Sequence, residues 1–155
     1  MKPVMQRNVR GPANEDGPAG DCQRACWASL FELDLGDVPH FAEYAGPCAP
    51  ADVLRGWVRD TFDLDVAWVS NLDMIEHWGD GPASYAVATI PSGNFPGIFH
   101  DVIVDEVGYV VHDPSPRTPN CTGTRVDGLA AVDFAIITAR YEPFPGVPSF
   151  SEATA

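Results

Sequence analysis

Gly20-Asp21-Cys22-Gln23-Arg24-Ala25-Cys26-Trp27-Ala28-Ser29-Leu30 carries the chain from a turn directly into a helical pattern. Upstream, Gly11-Pro12, Asn14, Gly17-Pro18 and Gly20 punctuate too densely for a regular element, so the opening reads as a loop that ends at Asp21 as N-cap. Downstream, Cys22, Cys26, Ser29, Leu30 and Leu33 share one face and Gly36 offers a stop, which predicts a helix over 22–33. A thiol on the first residue of a helix is placed for chemistry, because free backbone N–H groups and the positive end of the helix dipole favour the thiolate.

Beyond this helix, Pro39 lacks the N–H and biases Val38 toward an extended conformation. A second helix is expected near Pro50, which suits a first-turn position, with Asp52 complementing the dipole and Val53, Leu54, Trp57 and Val58 forming an apolar stripe. Residues 64–69 read as a strand. Residues 71–78 read as a brief third helix, capped by Asn71 or Asp73, before the turn at Gly79-Asp80-Gly81-Pro82. From there the chain turns β-rich, with runs at 85–90, 101–104, 109–112 and 133–138. A helical front half followed by an antiparallel back half predicts an α+β fold, the N-terminal helix packing on the sheet.

A chain of 155 residues with 45% hydrophobic content has the size of one domain, expected over 1–142, followed by an extended, Pro-rich tail at 143–155. The first residues, Met1-Lys2-Pro3-Val4-Met5-Gln6, lack the apolar stretch of a secretory signal, and no run reaches the length of about eighteen residues that a membrane span needs. The expectation is a soluble, cytoplasmic protein whose four cysteines are free thiols. Cys22 and Cys26 lie one helical turn apart, unlike the Cys-x-x-Cys pairs of structural zinc sites, and no second pair follows, so no metal is expected. A formal charge of −13 repels phosphate backbones and anionic lipids. It argues against nucleic acid and membranes, leaves neutral or basic partners open, and is explained equally by solubility. The oligomeric state is not legible.

The second half supplies a base for the thiol. His100-Asp101-Val102-Ile103-Val104-Asp105, the turn Glu106-Val107-Gly108 and Tyr109-Val110-Val111-His112-Asp113-Pro114 form a β-hairpin signature. A two-residue loop would set His100 directly opposite Asp113, with Cβ atoms about 5 Å apart, where a carboxylate orients an imidazole. Gly108 fits equally well as the left-handed residue of a three-residue loop, which shifts the pairing by one unless a bulge restores it. Each residue also has a plain reading: Cys22 as a small buried side chain, His100 as a satisfied histidine, Asp113 as a turn residue before Pro114. His112 competes as base, but its neighbour Asp113 points to the other side of the strand. The conjunction of a thiol at a helix start with His and then Asp far downstream favours a cysteine nucleophile with its base.

The order Cys, His, Asp, with the cysteine opening the first helix, resembles the papain-like cysteine peptidase superfamily. Asp21-Cys22-Gln23-Arg24-Ala25-Cys26-Trp27-Ala28 resembles the Asp-Cys-Gly-x-Ala-Cys-x-Ala helix of bacteriocin-leader peptidase domains. Pro3-Val4-Met5-Gln6, Gly20-Asp21-Cys22, Asp37-Val38-Pro39-His40-Phe41 and His112-Asp113-Pro114 are similar to elements of compact phage and bacterial papain-like proteins, over roughly residues 3–116. The resemblance implies Cys22 as nucleophile, His100 as general base and then acid, Asp113 as the orienting third member, and the Gln6 amide as oxyanion donor beside the Cys22 N–H. Two departures stand out. Gln6 lies sixteen positions before Cys22 instead of a few, so the intervening loop must fold back, and Gln23 replaces a glycine. Cys26-Trp27-Ala28 also resembles the Cys-Trp-Ala of papain, which makes Cys26 the rival nucleophile; the helix start favours Cys22.

The implied activity is a cysteine peptidase or amidase acting on a peptide or protein through a thioester, without cofactor. A transglutaminase-like or deamidating enzyme, and a catalytically idle papain-like binding module, are the alternatives. The loop Asn94-Phe95-Pro96-Gly97-Ile98-Phe99 is a candidate cleft rim or a buried anchor, and Trp27 and Trp78 read as core.

Overall fold

The computed structural model describes residues 1–9, 20–43, 49–117 and 120–139. The opening loop over 10–19 and the tail over 143–155 lie outside the described residues. Among the described residues two helices pack on a five-stranded sheet, an α+β architecture. Helix α1 is Cys22–Leu30 and α2 is Pro50–Phe62; the strands are β1 Leu64–Val69, β2 Tyr85–Pro91, β3 Phe99–Asp105, β4 Val110–His112 and β5 Asp133–Ala139. Their order across the sheet is β1-β5-β2-β3-β4, and every neighbouring pair is antiparallel.

Helix α1 is more deeply buried than a one-faced stripe predicts, for every residue from Ala25 to Leu30 is buried. Its stop is also not Gly36. The Glu32 N–H bonds to Ser29 O and the Leu33 N–H to Ala28 O, a Schellman pair that turns on Glu32 at φ 58°. Helix α2 follows its sequence signals, with Pro50 in the first turn, Asp52 near the N-terminus, and Val53, Leu54, Trp57 and Val58 buried; it ends on Asp63 in the left-handed region. Phe31 stacks on Phe62 at 3.9 Å between ring centroids and meets Trp57 edge-on, which ties the two helices together.

Strand alternation builds a core on each face. Val66, Val87, Ile103, Ala135 and Ile137 face the helices, while Ala86, Ala88, Ile90, Val102, Val104, Val110 and Phe134 form a second cluster with Val126. Trp27 belongs to the first cluster and Trp78 packs against the second. The expected third helix is only a 3-10 turn, Leu72–Met74, where the Asn71 side chain accepts the Asp73 N–H. Its few apolar residues cover a sheet face without the length a stable helix needs.

The β3–β4 hairpin takes the longer loop. Gly108 sits at φ 85°, its N–H bonds to Asp105 O, and the Asp105 N–H bonds to Tyr109 O, a type I turn closed by a left-handed glycine. A second irregularity follows, because Val104 pairs with Val110 but Ile103 pairs with His112. The two-residue register is therefore not adopted, and His100 and Asp113 are not cross-strand partners.

Candidate active site

The first residues run along α1 and strap both of its ends to the end of β4. The Lys2 N–H bonds to Ser29 O, the Val4 N–H to Ser29 Oγ, Val4 O to His112 Nε2 at 2.9 Å, and the Gln6 N–H to Pro114 O. Asp21 completes the strap, its Oδ1 accepting from the Arg7 and Asn8 N–H groups at 3.0 and 2.8 Å while its own N–H bonds to Asn8 O. Asp21 thus holds the N-cap position but makes no side-chain capping bond, a correction to its expected role. The first intrahelical bond runs from the Ala25 N–H to Asp21 O, so the N–H groups of residues 22–24 precede the ladder.

Cys22 stands at that opening, half-buried, beside a cleft of about 490 Å3 that Gln6, His100 and Asp113 also line. His100 is the second residue of β3 and Asp113 follows β4 directly. Although the ladder does not pair them, His100 Nε2 lies 2.7 Å from Asp113 Oδ1. Cys22 shares the cleft with His100 and is among the groups that raise the imidazole pKa. With Nε2 committed to the carboxylate, Nδ1 is the nitrogen left for a second partner. Burial opposes the imidazolium, but the bond to Asp113 and the nearby Cys22 prevail and raise the His100 pKa to about 10, so the ring is protonated at neutral pH.

Asp113 is held from all sides. Its Oδ1 also accepts the Ser115 N–H at 2.9 Å, and its Oδ2 accepts the Cys121 N–H at 3.0 Å and the Cys121 thiol at 3.2 Å. Burial alone would raise its pKa, yet the bond to His100 and these three donors hold the carboxyl well below the usual carboxylate range. Cys121 answers in kind: burial and its bond to Asp113 push the thiol up to about 12, keeping it a donor. Sequence reasoning missed Cys121. Its only signal was the turn Asn120-Cys121-Thr122-Gly123, in which Asn120 Oδ1 accepts the Thr122 N–H and Gly123 takes φ 85°.

The competing residues have structural partners. Cys26 is fully buried, its thiol donates to Asp101 O at 3.4 Å, and burial together with nearby Asp101 pushes its pKa well above the ordinary value. His112 is buried against the strap. Gln6 reaches the cleft because residues 6–8 fold back onto Asp21 and Pro114. Its Nε2 gives one hydrogen to Asn8 O at 3.3 Å and keeps a second. From the loop before β3, Asn94, Phe95 and Ile98 line the cleft, as does Phe99, the first residue of β3.

Comparison with protein-family models, with curated proteins and with solved structures finds no match to the chain. No helix among the described residues is long and apolar enough to cross a membrane.

Proposed function

We propose that the protein is a papain-like thiol hydrolase, a cysteine peptidase or amidase that cleaves an amide or isopeptide bond through a thioester. One observation carries this reading: a single imidazole, His100, binds Asp113 on Nε2 and lines one cleft with Cys22, the first residue of α1. A cysteine at a helix start that shares a cleft with a carboxylate-oriented imidazole is the arrangement of a nucleophile with its base.

In the first half-reaction the Cys22 sulfur attacks the carbonyl carbon and forms the C–S bond. The resulting oxyanion accepts hydrogen bonds from the Cys22 N–H and the free hydrogen of Gln6 Nε2. As the C–N bond breaks, His100 passes its Nδ1 proton to the leaving amine. Water then attacks the thioester and gives a proton to His100 as the C–S bond breaks, which releases the acid and restores the couple. Asp113 keeps the ring in the orientation that turns Nδ1 toward sulfur. The chemistry needs neither metal nor organic cofactor.

Labelling with a peptidyl vinyl sulfone at neutral pH tests the assignment. Label is expected on Cys22 in the wild type and in Cys26→Ala, none in Cys22→Ala, and slow labelling in His100→Ala. Full labelling of Cys22→Ala would remove the nucleophile, and an undiminished rate in His100→Ala would remove the base. Mass analysis of a cleaved peptide with and without added amine then separates hydrolysis from acyl transfer.

A further inference from the structure

The cleft presents cations in a molecule that is strongly acidic as a whole. The chain carries 22 Asp and Glu against 9 Lys and Arg. Among the described residues that line the cleft, the acidic member is Asp113 and the cations are His100 and Arg117. Asp113 has no charge to offer a ligand, since His100 and the Ser115 and Cys121 donors occupy its oxygens. His100 is taken up by Asp113, so among the described residues Arg117 is the cleft cation with no carboxylate paired to it.

Arg117 is also placed in advance. Its guanidinium lies 5.0 Å from the centroid of the Phe95 ring, and its backbone N–H donates to Ser115 Oγ, two residues beyond Asp113. A guanidinium held over an aromatic face keeps its N–H groups available to meet a ligand, and a carboxylate matches them with two parallel bonds. Phe95 and Arg117 therefore form one unit on the cleft wall, and Ile90, Ile98 and Phe99 give the same cleft an apolar surface.

From this arrangement we infer that Arg117 is a specificity-determining residue that selects substrates with an acidic side chain close to the scissile bond, the neighbouring positions being apolar. The inference rests on the acyl-transfer reading of the site. The acidic exterior does not oppose it, because at physiological ionic strength charges more than about 8 Å apart are largely screened, whereas a bidentate contact with Arg117 is not.

The test uses peptidyl vinyl sulfones in sets identical except for Glu, Gln or Lys, scanned through each position. The Cys22 labelling rate is divided by the rate with uncharged iodoacetamide, so that thiol reactivity cancels. At one position Glu is expected to exceed Lys at least fivefold in the wild type. Arg117→Lys should keep the preference, Arg117→Gln should lose it, and Arg117→Glu should reverse it, with all differences shrinking as salt is raised. Equal rates for Glu and Lys in the wild type, or a Glu preference that survives in Arg117→Gln, would overturn the inference while leaving the hydrolase reading intact. If no probe labels Cys22, the hydrolase reading fails by itself. Fluorescent amides of the same peptides bound to Cys22→Ala then decide: tighter binding of the Glu peptides that depends on Arg117 supports the acidic preference, and equal binding overturns it.

Discussion

Two buried carboxylates sit toward opposite edges of one sheet. On β1, Asp65 meets the Arg59 guanidinium at 2.6 Å and that of Arg55 at 3.2 Å, and both arginines come from α2. Beyond β4, Asp113 meets the His100 imidazole at 2.7 Å. Both carboxylates are almost completely buried, with 6% and 4% of their side chains exposed. The partners make the difference. Guanidinium groups keep their charge at every accessible pH and give no proton away, so the Asp65 cluster can only clamp a helix to a strand. The Asp113 partner is titratable, and it lines a cleft together with the Cys22 thiol. Burial of charge is common to both regions; the capacity to move a proton separates them.

That contrast breaks first at His100. Its replacement by Ala should slow Cys22 labelling about a thousandfold in protein that remains folded, the accompanying drop in urea midpoint being limited by the Ser115 and Cys121 donors that Asp113 keeps. Equal loss of rate and stability would make the two regions alike. Asp65→Ala should do the reverse, destabilising the fold by about 3 kcal/mol in equilibrium unfolding while the folded protein labels at the normal rate.

Asp113→Asn sharpens the distinction through pH. The His100 pKa, raised to about 10, falls toward the ordinary 6.5 once the carboxylate is gone, so the protonated fraction at pH 8 and the rate that depends on it should drop by up to about thirtyfold. Because the folded-state value is raised, the stability that His100 contributes is complete below about 6.5 and vanishes as pH climbs to about 10. The depressed Asp113 carboxyl contributes above about 3.8 and loses that contribution as pH falls. Urea midpoints of the wild type should therefore decline between pH 6.5 and 10, and Asp113→Asn should flatten the decline. The smallest effect is expected at Cys121: Ala should cost about threefold in rate and lower the alkaline limit, and Ser, which keeps a donor, should restore both.

The helices and strands were legible because each carries its own local signal. Pro50 and the stripe from Val53 to Val58 announce α2, and alternation announces β2, β3 and β5. Cys22, His100 and Asp113 stood out by residue type and order, and the structure brings them and Gln6 to one cleft. What escaped depends on tertiary placement. Glu32 adopts the left-handed cap without being glycine, and no residue marks the irregularity that moves Ile103 opposite His112. Asp21 looked like a local cap, yet its carboxylate bonds residues 13 and 14 positions away. Cys121 reaches Asp113 only through the turn at 120–123, whose position against the sheet has no sequence signature.

The place of β5 gives the sheet a built-in order of assembly. It is the last of the described strands in chain order, yet it lies between β1 and β2, which do not pair with each other. A nascent chain that stops short of residue 133 can form the hairpins of β2, β3 and β4, but β1 has no strand to pair with. Long-range pairing of this kind postpones cooperative folding of the sheet until β5 has been synthesised. A chain without β5 would leave its apolar strand faces open to proteolysis, so the firm scaffold beneath Cys22 is reserved for molecules in which β5 has been inserted.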